Sequence, residues 1–181
     1  MGVRNKIYQD YLYFLTLTVV DWVDVFTKPV YKNIILDSLR YCQKEKGLEL
    51  YAWCLMSNHI HLIAAAREPF HLSDVLRDFK KFTSKKLVEA IQEEAESRKE
   101  WMLYRFEYAG RFKSQIKEYK FWRDGNEAKE IFSNEFLIQK LNYIHNNPVR
   151  AGIVSEPEYY LYSSATDHAG GKGLLEIIFA V

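Results

Sequence analysis

The side chains of this sequence whose types and spacing could do chemistry fall into two pairs. His59 and His61 lie one residue apart in the run SNHIHLI, residues 57–63. Strand side chains alternate between faces, so on an extended segment both imidazoles project from one face and Ile60 points into the core. Two imidazoles side by side on a rigid strand supply most of a metal site, or a cationic pair for a phosphate. The second pair is Tyr143 and Asn147. Residues four apart share one face of a helix, so a phenol and an amide would be presented together.

The elements that must position these groups follow from periodicity. Residues 11–20 set Phe14, Thr16 and Thr18 against Leu15, Leu17 and Val19, which predicts a first strand, central in its sheet. Pro29 opens a helix with Thr27 as its expected N-cap; Val30, Ile34, Ile35, Leu39 and Cys42 keep helical spacing, and Gly47 ends it. Residues 48–56 and 59–66 read as two strands joined by a tight turn at Ser57 and Asn58. A longer helix is expected over about 73–94, burying Leu72, Val75, Leu76, Phe79, Phe82 and Leu87. Residues 127–132 predict a short further strand. Ser133 or Asn134 then caps a helix that carries Tyr143 and stops at Pro148.

Bulk properties bound the rest. A chain of 181 residues, 48% hydrophobic and 27% charged, reads as one globular domain over 1–181, with a C-terminal tail from about residue 157. No apolar run approaches the ~20 residues of a membrane span, and residues 1–10 are too polar for a signal peptide. Cys42 and Cys54 stand in unrelated contexts, which suits buried thiols in a reducing cytoplasm. With a net charge of +1, any nucleic-acid surface must be local. Residues 77–86 hold five bases, Arg77, Lys80, Lys81, Lys85 and Lys86, against one acid, Asp78, and residues 89–100 turn acidic. This stripe is a solvated helix face or a track for phosphates, and the segregation of charge favours the track. Residues 101–122 interleave aromatics with bases, among them Tyr104, Arg105, Tyr108, Arg111, Phe112, Lys113 and Trp122. Stacking on unpaired bases and a mixed core edge explain that composition equally well. The apolar end, residues 174–181, is either a docked strand or an exposed partner-binding tail.

Taken together, SNHIHLI and NYIHNNPVRAG (residues 142–152) resemble the signatures of a known family. The first is similar to the histidine–hydrophobe–histidine motif of HUH single-tyrosine, IS200-like transposases. The second is similar to the tyrosine-helix motif of their REP-associated tyrosine transposase branch. DFKKFTSKK (78–86), Phe121–Trp122 and YSSA (162–165) fall in the same order as in that branch, so the resemblance covers most of the chain. It implies a ferredoxin-like α+β fold, an antiparallel sheet backed by helices, with an added helix for the catalytic tyrosine. The order of elements read above agrees. It further implies cleavage and rejoining of single-stranded DNA at hairpins in the cytoplasm, at the nucleoid.

By the resemblance Tyr143 is the nucleophile, and His59 and His61 hold a divalent metal, Mg2+ or Mn2+. Asn147 stands where much of the wider family has glutamine, and is the third ligand. Arg77, Lys80, Lys81, Lys85 and Arg150 are the expected DNA-binding residues. Such an ion would polarise a phosphoryl oxygen while the tyrosine attacks phosphorus, giving a 5′-phosphotyrosine and a free 3′-hydroxyl. His145, two residues from Tyr143, faces elsewhere on the helix and is expected to be structural or DNA-facing. Two other classes stay open: a catalytically idle hairpin-binding regulator, and an unrelated metal hydrolase using the histidines with Cys54 or His71. A homodimer is a further open partner, because the tyrosine helix either packs beside its own histidines or completes the site across two chains.

Overall fold

A computed structural model describes residues 7–8, 11–111 and 118–179; Phe112 and Lys113 lie outside the described residues. Its elements are β1 (Tyr13–Thr18), α1 (Pro29–Glu45), β2 (Leu48–Leu55), β3 (His59–Ala66), α2 (Leu72–Glu93), α3 (Lys99–Gly110), β4 (Lys129–Glu130), α4 (Asn134–His145), α5 (Asn147–Arg150) and α6 (Ala165–His168). The strands form one antiparallel sheet in the order β2-β3-β1-β4. This is the ferredoxin-like arrangement, with β1 and β3 at its centre.

The alternation in β1 decides which face does what. Leu15 and Leu17, with Ile60, Leu62 and Trp53 from the neighbouring strands, are fully buried beneath α1 and α2. Burying each such side chain contributes roughly 1.5–3 kcal/mol. On the opposite face Phe14, Thr16 and Thr18 pair in register with Ile63, His61 and His59. That face is covered by α4 and the tail, through Leu137, Ile144 and Tyr160. The larger core therefore lies on one side of the histidine strand, and the candidate chemistry sits beside a smaller core on the other.

Several local expectations change. Thr27 does not cap α1: Lys28 holds the cap position without a side-chain bond, and the Thr27 hydroxyl accepts from Arg98 Nη2 at 3.2 Å. Pro29 at N1 leaves fewer amides to satisfy, so no side-chain cap is required. Gly47 does end the helix region, at φ +65°, and a Cβ there would collide with the Phe70 ring. Phe82 is not in the core of α2 but 55% exposed; Thr83 takes the inward position and accepts the Trp122 indole N–H at 3.0 Å. Half of the aromatic and basic stretch forms α3, a helix its mixed composition did not predict.

The tail is docked, without forming a strand. Tyr160 Oη donates to Leu55 O, Ser163 bridges Cys54, and Ile178 N–H donates to Leu50 O, so residues 160–178 line the β2 edge. Covering an edge strand in this way removes a template for pairing with other chains. Among the described residues no helix is long and apolar enough to cross a membrane.

Candidate functional site

His59 and His61 open β3, just after the Ser57–Asn58 turn, and their ring centroids lie 4.6 Å apart. Each is held through Nδ1. His61 Nδ1 is 3.0 Å from the buried Thr16 Oγ1, its cross-strand partner. His59 Nδ1 is 2.7 Å from Asn58 Oδ1, and the Asn58 amide nitrogen donates to Asp24 Oδ1 and Trp22 O, which fixes the amide's orientation. With Nδ1 carrying the proton, both Nε2 atoms present lone pairs. His61 Nε2 is fully buried with no protein partner.

Burial lowers the pKa of both rings. His61 is pushed down to about 3 by burial and then by His59 beside it, and His59 is lowered by burial against the opposing pull of Asp24. The pair is therefore neutral at neutral pH. Of the two chemistries open to it, metal ligation fits and a cationic phosphate clamp does not.

The tyrosine helix closes over this pair within the same chain. Ser133 caps α4 by accepting from Phe136 N–H at 3.2 Å. His145, on the inward side, is buried and its Nε2 lies 2.9 Å from Ser164 Oγ, which in turn accepts from Trp53 N–H. This tie sets α4 against β2, so His145 is structural. Tyr143, on the other side, is 36% exposed with its ring centroid 5.3 Å from that of His61. Helix α4 ends at His145, before Pro148, and a separate short helix, α5, starts at Asn147 with the proline in its first turn. Asn147 Nδ2 donates to Tyr143 O at 2.7 Å, leaving Oδ1 as the acceptor of the side chain.

His59, His61, Tyr143 and Asn147 thus line one cavity of about 350 Å³, together with Phe14, Thr16, Trp22, Glu127, Lys129 and Lys140. Arg150 lies over the Tyr143 ring at 5.6 Å, and Lys140 Nζ lies at 5.6 Å from the same ring. The Lys140 pKa is lowered by burial and then by Lys129. Sequence reasoning missed Lys140, although its i,i+3 spacing to Tyr143 was available. It missed Trp22, Glu127 and Lys129 too, and no local pattern marks those three.

The expected metal has a fitting donor set here. The unpartnered Nε2 of His61, the second imidazole and the Asn147 amide oxygen line this one cavity, and neutral nitrogen and oxygen donors of that kind suit a divalent ion. Among the described residues no three His, Cys, Asp or Glu side chains form such a group, so neither Cys54 nor His71 joins the histidines. Cys54 is buried, which pushes its thiol up to about 12.

The basic residues divide. Arg77, Lys80 and Lys81 line a second cavity of about 420 Å³ with Lys120 and Arg123; Lys85 lines neither cavity and lies 3.8 Å from Glu89. Lys80 is not a free phosphate contact: its ammonium donates to Arg123 O and Gly125 O, both at 2.8 Å, and pins that turn. Arg77 is paired with Asp74 at 2.6 Å and Asp78 at 3.0 Å.

A family model described as "Transposase IS200 like" matches residues 8–119 of the 181. The chain belongs to the IS200-like transposase family. The matched span of this IS200-like transposase contains both histidines, and Tyr143 and Asn147 lie beyond it. Among solved structures, a REP-associated tyrosine transposase bound to a REP hairpin is similar over 100% of this chain and 92% of its own. The identity is 16% and the TM-score 0.64. A candidate transposase of Deinococcus radiodurans R1 is similar over 81% of this chain and 96% of its own, at 19% identity and a TM-score of 0.46. No curated protein matches the chain.

Proposed function

We propose that this IS200-like transposase is a metal-dependent DNA strand transferase that cleaves and rejoins single-stranded DNA beside a hairpin, with Tyr143 as nucleophile. The observation that carries the reading is the approach of the Tyr143 ring to 5.3 Å from His61 within one chain, over a pair of neutral imidazoles. The hairpin comes from the structural neighbour, which is bound to one.

Tyr143 Oη attacks the phosphorus of a backbone phosphodiester. An O–P bond to tyrosine forms as the phenol gives up its proton to solvent, the P–O3′ bond breaks, and the 3′ oxygen takes up a proton and leaves as a hydroxyl. The 5′ phosphate stays on the protein, so the same hydroxyl or that of another strand can reverse the step without a nucleotide cofactor. His59, His61 and Asn147 would hold Mg2+ or Mn2+, which when bound supplies Lewis-acid stabilisation of the charge developing on the phosphoryl oxygens. Thr16 and Asn58 orient the two imidazoles through Nδ1. Lys140 and Arg150, flanking the tyrosine ring, add positive charge beside the attacked phosphate.

The test is an adduct assay. Wild-type protein with a flanked hairpin and Mg2+ should give a covalent complex that survives denaturation and maps to Tyr143. Tyr143→Phe keeps the ring and loses one oxygen, so it should bind within about 2-fold of wild type, since the other contacts to the strand remain, and yield no adduct. An adduct on another tyrosine refutes the assignment. Tight binding with no adduct from any hairpin identifies a regulator instead.

A further inference from the structure

We infer that Trp22 is a stacking platform for an unpaired nucleobase at the mouth of the His59–His61 cavity, an inference that rests on the strand-transfer reading above. Three non-glycine residues among those described have left-handed backbone: Asp21 at φ 53°, Trp22 at φ 56° and Glu127 at φ 44°. Two of them, Trp22 and Glu127, line this cavity. Side chains with a Cβ resist that conformation, and two such residues in succession persist only where the surroundings hold them. They are held here from several sides. Val20 N–H donates to Phe121 O, the Asn58 amide donates to Trp22 O, and Asp21 pairs with Arg105 at 3.0 Å.

The outcome of this strained turn is exposure. Trp22 remains 53% exposed, its ring edge-on to His59 with centroids 6.1 Å apart. A tryptophan kept rigid and half open beside candidate metal ligands is arranged for a flat ligand, and every nucleobase offers a π-face. Its neighbour reinforces that choice. The Arg123 guanidinium sits 5.4 Å from the indole ring, and Arg123 also lines the basic cavity that holds Lys81 and Lys120. The Trp22–Arg123 pair is thus the junction between a cationic surface suited to a phosphate backbone and the cavity that holds Tyr143. A base stacked on Trp22 fixes where along the strand the attacked phosphate falls. Trp22 is accordingly a positioning residue.

The test measures equilibrium binding of the hairpin with single-stranded flanks, without divalent ion, replacing each flank base in turn by an abasic site. Wild type should lose roughly 5- to 150-fold in affinity at one position, the scale of one base–aromatic stack. Trp22→Ala should bind the intact DNA more weakly by a similar factor and be indifferent to that one abasic site, and Trp22→Phe should recover most of both. The salt dependence should be unchanged in Trp22→Ala, because stacking releases no counterions. If Trp22→Ala keeps the wild-type response at every abasic position, or if both variants weaken uniformly at all of them, the platform is overturned while strand transfer stands. A wild type that binds no single-stranded flank overturns both readings.

Discussion

Burial, more than any neighbouring charge, sets the state of the imidazoles, and that has a consequence for stability. His61 and His145 are pushed down to about 3 and about 4, and His59 is also lowered. An unfolded imidazole titrates near ~6.5, so the unfolded chain takes up these protons first as pH falls. The stability is therefore fully present above ~6.5 and declines towards the folded values. Metal-free protein should show a urea midpoint that falls steadily between pH 7 and 4.5, a window above the range of most carboxylates. A flat midpoint there would mean that the folded rings take up protons as readily as the unfolded ones. Orientation is the second property at this scale. Thr16→Val keeps the shape beside His61 and removes the oxygen at Nδ1. Mn2+ affinity should drop about 10- to 100-fold, the usual cost of losing a group that orients a ligand; unchanged affinity in a calorimetric titration would discard that role for Thr16.

Helix α2 separates two lysines that look alike in sequence. Lys80 is partly buried, which lowers its pKa to about 8, and its ammonium holds the 123–126 turn. Lys81 is exposed and lines the basic cavity. Lys80→Met should cost about 1–3 kcal/mol of stability through lost charged hydrogen bonds. Lys81→Ala should leave stability within about 0.5 kcal/mol and reduce the salt slope of single-strand binding by about one. The reverse pattern, read by denaturation and by binding at several salt concentrations, would put Lys80 on DNA. The contrast shows which features local sequence encodes. The period of two in β1 and β3 exposed the histidine pair, and the four-residue spacing exposed Tyr143 with Asn147, because both are local geometry. Lys80 finds its partners 43 and 45 residues away, and the left-handed turn at Trp22 is imposed by Phe121, Asn58 and Arg105. Phe82 keeps the core spacing yet is exposed, because helical spacing does not tell a core from an open groove between α1 and α2. Helix α3 escaped because its aromatics face both ways, Phe106 inward and Trp101 and Tyr104 outward.

Across the molecule, the family match covers residues 8–119 and the structural likeness runs the full length, so the fold shared with that neighbour includes helix α4. The net charge of +1 also hides a division of surface, with Arg77, Lys81, Lys120 and Arg123 gathered around one cavity. The approach of Tyr143 to histidines of its own chain bears on how the protein should behave on dilution. If each copy carries its own nucleophile and its own ligands, adduct yield per molecule should not depend on protein concentration once DNA is saturating. Two inactive variants, His61→Ala and Tyr143→Phe, should then remain inactive when mixed, since neither can lend the other its missing part. Recovery of cleavage in the mixture would mean that helices are exchanged between copies. Without it, a cell holding one intact copy and many damaged ones should keep the activity of the intact copy, undiluted by its neighbours.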